Sequence, residues 1–231
     1  MRKMNIIFVV LFVVLVPLVL LLTDVQVVAY DRDYYRAEYI KYSIPQHIGM
    51  DLDNLMLSTE RLLLYLEDNR DDLNFKADFT KGTEEFFSQR DKDHMVDVKG
   101  LFVKGKLLRN LSFLYISAFI ILMFWKKSSK VQLRCLARYG IAIAAVGIAP
   151  VLILVVLMNI DFYKYFTVFH HIFFTNDLWL LDPATDRLIN IFPQEFFTDM
   201  AFSISYLYIA EMAAIFISSL LVLRFVKNNK N

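Results

Sequence analysis

The sequence predicts an all-α integral membrane protein, with four transmembrane helices and an extracytoplasmic cap. Hydrophobic residues make up 57% of the 231 residues, and mean hydropathy is +0.45. Soluble domains are about half apolar. The excess is gathered into four blocks separated by polar sequence, the pattern of a membrane protein. Lysines and arginines fall where they give all four blocks one consistent direction through a bilayer.

A helix needs about 20 apolar residues to cross the hydrocarbon core. Backbone in lipid must bond to itself, so each block is read as a helix. Residues 6–22 are continuously apolar, and the first span is placed at 1–23. A signal peptide is the alternative, with Val27-x-Ala29 as a cleavage site, but the run is longer than a usual signal core, which favours a retained anchor. Residues 24–106 follow as a cap too long to be a linker. The second block, 111–125, reaches full length with Leu107 and Leu108 and gives a span at 107–125. A basic cytoplasmic loop at 126–138 leads to a third span, 139–158. An aromatic and histidine-rich outer loop occupies 159–201, the fourth span 202–223, and a tail 224–231. Pro17 and Pro150 each remove a backbone donor and are expected to kink their helices.

Arg2 and Lys3 precede the first span. Lys126, Lys127, Lys130, Arg134 and Arg138 fill the second loop, and Arg224, Lys227 and Lys230 follow the last span. All fall on one side if each span crosses once, which places them in the cytoplasm and the segments 24–110 and 159–201 outside the cell. The expected location is therefore the cell membrane, multi-pass, with the functional face extracellular. A net charge of +1 gives no electrostatic footprint for nucleic acid. The single cysteine, Cys135, forms no internal disulfide and reads as a spectator thiol, with palmitoylation the minor alternative.

Within the cap, 51–68 places Leu52, Leu55, Met56, Leu62, Leu63 and Leu66 on one helical face, with Asp51 or Asp53 as N-cap. The stretch 79–87 fits either a hairpin or a helix start. From 91 a helix capped by Asp91 or Asp93 carries His94, Asp97, Val98 and Leu101 on one face and continues into the second span. In the second outer loop, "FHHIFFTNDLWLLDPATDRLINIFPQEFF" (169–197) interleaves aromatic rings with His170, His171, Asn176, Asp177, Asp182 and Asp186. A headgroup-level aromatic belt accounts for the rings but not for the polar residues among them. Pro193 suits the first turn of a helix entering the fourth span. Glu211 lies near the middle of that span, where a carboxylate is expensive and functional by default. The competing reading is a structural hydrogen bond or a protonated acid packed between helices.

The histidines are His47, His94, His170 and His171. Imidazole is the side chain best suited to moving protons near neutral pH. Asp97, one turn beyond His94, is placed to fix its tautomer. Nucleophile-elbow, Ser-x-x-Lys, phosphate-loop and His-Glu-x-x-His patterns do not occur. Proton transfer by histidine is left, without an obvious protein nucleophile. Taken singly on sequence pattern, each histidine reads as structural before it reads as catalytic.

The pair "HMVDVKGLF" (94–102) and "FHHIFFTNDLWLLDPATDRLINIFPQEFF" (169–197) resembles the lipoprotein intramolecular transacylases, integral membrane proteins of Gram-positive bacteria, and the resemblance covers essentially the whole chain. It implies four membrane helices under an extracellular cap and one catalytic histidine from each motif. Carried over, these are His94, with Asp97 beside it, and His170, since Phe169, His170, Phe173 and Phe174 match the family's Phe-His-x-x-Phe-Phe. His171 is a supporting residue. Phe169, Phe173, Phe174, Trp179 and Glu211 are the expected substrate-binding residues.

The reaction implied moves the sn-2 acyl chain of a diacylglyceryl lipoprotein to the amino group of its N-terminal cysteine. The expected partners are that lipoprotein and membrane lipid, with no nucleic acid, no metal and no cofactor, and the enzyme is expected to act as a monomer. The rival from the residues alone is a non-catalytic sensor or assembly protein whose cap binds lipid or a partner.

Overall fold

The computed structural model describes residues 5–125 and 130–228. Arg2, Lys3, Lys126, Lys127 and Lys230, used above for orientation, lie outside the described residues. The chain divides into two units. One comprises Met1–Gln26, Lys106–Asn159 and Phe202–Asn231; the other comprises Val27–Gly105 and Ile160–Ala201.

The membrane unit is built from four helices long and apolar enough to cross a bilayer. These are α1 (Ile6–Ala29), α5 (Gln89–Phe124), α6 (Lys130–Ile160) and α9 (Gln194–Asn228); α1 and α6 belong to this unit for nearly all their length, α5 and α9 only in part. Helices α1 and α6 run unbroken through Pro17 and Pro150. At their core Phe12 stacks on Phe119, with centroids 4.2 Å apart, and Tyr139 meets both edge-on. A Cβ on Gly140 would fall 2.0 Å from the Ser219 hydroxyl oxygen, so α6 and α9 touch there as only glycine allows. Large apolar side chains such as Phe113, Leu122, Ile153 and Leu221 remain exposed, the surface a lipid-facing bundle presents. Arg134 and Arg138 lie in the opening turns of α6 rather than in a loop, because that helix begins well before its apolar stretch.

The extramembrane unit contains α2 (Arg32–Lys41), α3 (Ile44–Ile48), α4 (Leu52–Leu66), an antiparallel hairpin of β1 (Lys76–Phe79) and β2 (Gly82–Glu85), the start of α5, α7 (Phe162–Phe173), α8 (Leu188–Ile191) and the start of α9. Asp51 caps α4, its carboxylate accepting from the Asn54 N–H at 2.9 Å. The expected face is buried at Leu55, Leu62, Leu63 and Leu66. These pack with Tyr35, Tyr39, Phe86, Phe87, Ile191 and Phe196 into one aromatic core. Phe192 and Phe196 are thus core residues, not belt residues. The 79–87 stretch resolves into the turn and second strand of the hairpin, where Gly82 takes φ +132°.

Neither Asp91 nor Asp93 is the N-cap of α5. Ser88 precedes the helix, its hydroxyl accepting from the Asp91 N–H at 3.0 Å while the Asp91 carboxylate accepts from the Ser88 N–H at 3.0 Å, a reciprocal capping box. At 36 residues α5 is about 54 Å long at 1.5 Å per residue, against about 30 Å of hydrocarbon. Its charged first half, including Arg90, Lys92, Asp97 and Lys104, belongs to the extramembrane unit and its apolar remainder to the membrane unit.

Candidate active site

The site forms within the extramembrane unit, where α5 presents His94 and the last turn of α7 presents His170. Asp161 caps α7, accepting from the Lys164 N–H at 3.0 Å. From there Phe162, Phe166, Phe169, His170 and Phe173 recur at helical spacing; Phe162, Phe166 and Phe169 stack in series, and Phe173 packs tilted on Phe169. Phe174 ends the helix, its N–H donating to the His170 carbonyl at 2.8 Å.

His94 and His170 are both buried, each 7% exposed, and their ring centroids lie 6.2 Å apart. Phe174 stands edge-on to His94 at 5.4 Å. Trp179 stacks on His170 at 4.7 Å, and Phe166 meets the same ring edge-on at 4.4 Å. The His170 Nδ1 lies 2.7 Å from the Phe166 carbonyl oxygen. A carbonyl only accepts, so Nδ1 carries the proton and the neutral ring keeps its lone pair on Nε2.

Burial, and after it the neighbouring His170, pushes the His94 imidazole down to about 4 from the ordinary 6.5; Asp97 opposes this. Burial also lowers His170, partly offset by its bond to the Phe166 carbonyl. Both rings are therefore neutral at neutral pH. Two polar atoms at this spot are buried without a hydrogen-bond partner among the described residues, His94 Nδ1 and Trp179 Nε1.

The expected hydrogen bond from Asp97 to His94 is not formed. Asp97 instead accepts from the Asn176 amide at 2.8 Å, because that loop residue competes for its carboxylate, and its influence on His94 is purely through charge. Arg90 ties the same loop to α5 by donating to the carbonyls of Asp177 and Leu180. His171 is exposed and touches Trp179 edge-on at 5.2 Å. Phe169 reaches His170 at 5.5 Å, whereas Phe173 packs on Phe169 and is half exposed. Glu211 belongs to the membrane unit. His47 lines a different recess, of about 270 Å³, with Asp186, Arg187 and Asn190. Among the described residues no cluster of three or more histidine, cysteine or carboxylate side chains has metal-binding geometry. Sequence reasoning missed the roles of the Phe166 carbonyl, Asn176 and Arg90; only the four-residue step from Phe166 to His170 hinted at the first.

Four apolar helices define a multi-pass membrane protein, whose extramembrane unit holds a buried, uncharged imidazole pair. A family model described as "Lipoprotein intramolecular transacylase Lit" matches residues 10–197. The chain belongs to the lipoprotein intramolecular transacylase family and is an acyltransferase of the membrane. The expected alternative of a non-catalytic sensor gives way to that assignment.

Its fold is similar to the solved structure of the membrane integral transacylase Lit from Bacillus cereus, with a TM-score of 0.78 and 22% identity over 100% of this chain and 99% of that one. Two further structures of the Bacillus cereus enzyme, one with a histidine-to-arginine and one with a histidine-to-alanine substitution, align at TM-scores of 0.77 and 0.76, each at 21% identity. They cover 98% and 97% of this chain and 95% and 96% of theirs. No curated protein matches the chain.

Proposed function

We propose that the enzyme transfers the sn-2 acyl chain of a diacylglyceryl lipoprotein to the α-amino group of its N-terminal cysteine, with His170 as base and His94 as acid. The supporting observation is the buried imidazole pair, 6.2 Å apart, with the His170 Nε2 lone pair left free by the Phe166 carbonyl. The amine nitrogen attacks the ester carbonyl carbon and a C–N bond forms. His170 Nε2 takes the proton that the nitrogen sheds. The C–O bond to the sn-2 glyceryl oxygen then breaks, and the proton taken by His170 passes through His94, neutral at rest, to that oxygen, which restores both rings. No net proton is consumed.

Burial that opposes charge on His94 makes its protonated form a strong donor. Because nucleophile and acyl group sit on one molecule, no acyl-enzyme is needed; orientation is the main task, worth about 7–11 kcal/mol in the best intramolecular cases. Phe169, Phe174 and Trp179 confine the headgroup around the rings. Basic residues at the start of α6 and the end of α9 support a cytoplasmic placement for those ends and an extracellular site. The enzyme acts on its substrate as a monomer.

The test is purified protein with a synthetic diacyl lipopeptide. The expected result is a product of unchanged mass whose fragment ions carry one acyl chain on the cysteine nitrogen. Recovery of unrearranged substrate alone would refute the assignment.

A further inference from the structure

The recess beside His47 lies wholly within the extramembrane unit and has a volume of about 270 Å³. Ile48 joins His47 from α3, and the turn 183–187 with Asn190 of α8 forms the other side. Its charged groups are already answered. The Asp186 carboxylate accepts from the Ser88 hydroxyl and the Asp182 N–H, both at 2.8 Å. The Arg187 guanidinium donates to the Glu84 carboxylate at 2.7 Å and to the carbonyls of Glu85 and Phe86. Asn190 spends both amide hydrogens, on the carbonyls of Pro183 at 2.8 Å and Asp186 at 2.9 Å, which leaves its Oδ1 as an acceptor. The His47 imidazole and the Thr185 hydroxyl belong to exposed residues and hold no hydrogen bond among the described residues.

A guest therefore meets uncommitted donors and acceptors side by side, with no uncommitted carboxylate or guanidinium. An anion would face Asp186 there, and a cation would face Arg187. A peptide main chain carries one N–H and one C=O per residue and matches the mixture. The volume lies just below the roughly 300–1,000 Å³ of small-molecule clefts and suits a short run of chain. The recess is also built onto the helix that carries His94. Asp186 holds Ser88, just before α5, and the N–H groups of Arg187 and Leu188 donate to Asp91 of α5 at 2.9 and 3.2 Å. Ser88 and His94 are about 9 Å apart along the helix at 1.5 Å per residue. An extended chain covers that distance in about three residues at roughly 3.3 Å each. Along α5, Ser88 lies on one side of His94 and the apolar stretch on the other. Acyl chains belong with the apolar stretch, and a polypeptide with the polar end.

We propose that this recess binds the main chain of the lipoprotein polypeptide just beyond its acylated cysteine. The identity of the guest rests on the reaction proposed above. His47, Thr185 and the Asn190 Oδ1 bond to peptide N–H and C=O groups rather than to side chains, so the recess accepts tails of differing sequence. These are binding residues, not catalytic ones.

The test is binding, measured on full-length protein carrying His94→Ala and His170→Ala so that no turnover intervenes. A diacylglyceryl cysteine amide is compared with diacyl lipopeptides whose tails add one or five serine and glycine residues. The five-residue tail is expected to bind about tenfold tighter than the amide, the worth of one or two hydrogen bonds, and the one-residue tail no tighter. N-methylating the tail amides is expected to remove that gain, and so is adding Ala184→Trp, which fills the recess. Adding His47→Ala with Thr185→Val removes only exposed groups and is expected to cut the gain to about threefold or less. That pair decides the matter even if Ala184→Trp does not fold. A gain that is absent, that is complete with one residue, or that survives N-methylation or the His47 and Thr185 substitutions would overturn the inference. Competition at equal concentration by the tail peptide without its acylated cysteine would overturn the link to the lipoprotein. Binding of neither the amide nor the lipopeptides would count against the substrate itself and end both proposals, whereas binding without a tail advantage ends only this one.

Discussion

Asp91 and His94 lie one turn apart on α5, and both are buried, at 0% and 7% exposed. The fold surrounds Asp91 with donors. Its carboxylate accepts from the N–H groups of Ser88 at 3.0 Å, Arg187 at 2.9 Å and Leu188 at 3.2 Å. The neighbouring Asp186 accepts from the Ser88 hydroxyl and the Asp182 N–H, both at 2.8 Å. Arg187 then donates to the carbonyls of Glu85 and Phe86 and lies over the Phe79 ring. His94 receives nothing of the kind at Nδ1. Buried polar groups in folded proteins are almost always satisfied, so His94 Nδ1 is one of a few exceptions among the described residues, and the proposed chemistry gives it a use.

Three measurements break or sharpen this contrast. The largest expected effect is from Asp91→Ala, which orphans three N–H groups at about 1–3 kcal/mol each and so costs at least about 3 kcal/mol. Chemical unfolding reads the loss, and kcat of the fraction that remains folded stays near the parent value.

Next comes pH. The folded pKa of His94, about 4, lies below its ordinary 6.5, so the unfolded chain takes up the proton first. Stability is full above about pH 6.5 and falls as pH drops toward 4, by at most roughly 3 kcal/mol. His170, shifted the same way, adds to the slope. Unfolding curves at several pH values show this dependence, and His94→Ala flattens it.

The smallest effect is that of His94→Ala on stability at neutral pH, expected within about 1 kcal/mol of the parent because it removes an unsatisfied polar atom along with some packing. A loss comparable to that of Asp91→Ala would make His94 structural.

The same contrast explains what was legible in advance. The four spans were plain because lipid demands long apolar runs. The face of α4 and the continuity of α5 followed from helical spacing. The hairpin at 76–85 was legible only as one of two readings of 79–87, since two four-residue strands carry too little alternation to outweigh a helix start. The capping of α5 was misplaced by three residues because Ser88 was passed over for the aspartates after it. Asp97 looked like the partner of His94 because spacing along a helix cannot reveal that a loop asparagine claims the carboxylate first. His170 and His171 are adjacent in sequence, yet one helical step turns the second ring away from Phe166 and into solvent. That His94 and His170 meet is a tertiary fact. Sequence patterning within either helix gave no sign of it; only the family resemblance did.

The most direct test of the central claim is made in cells. Lipoprotein N-terminal peptides from a strain lacking the enzyme, complemented with the parent, His94→Ala or His170→Ala, are compared by mass spectrometry after confirming that each variant inserts in the membrane. Lyso-form peptides should appear with the parent and be reduced by about 10²–10⁴-fold in initial rate with either variant. Parent-level lyso-form synthesis by both variants would contradict the account.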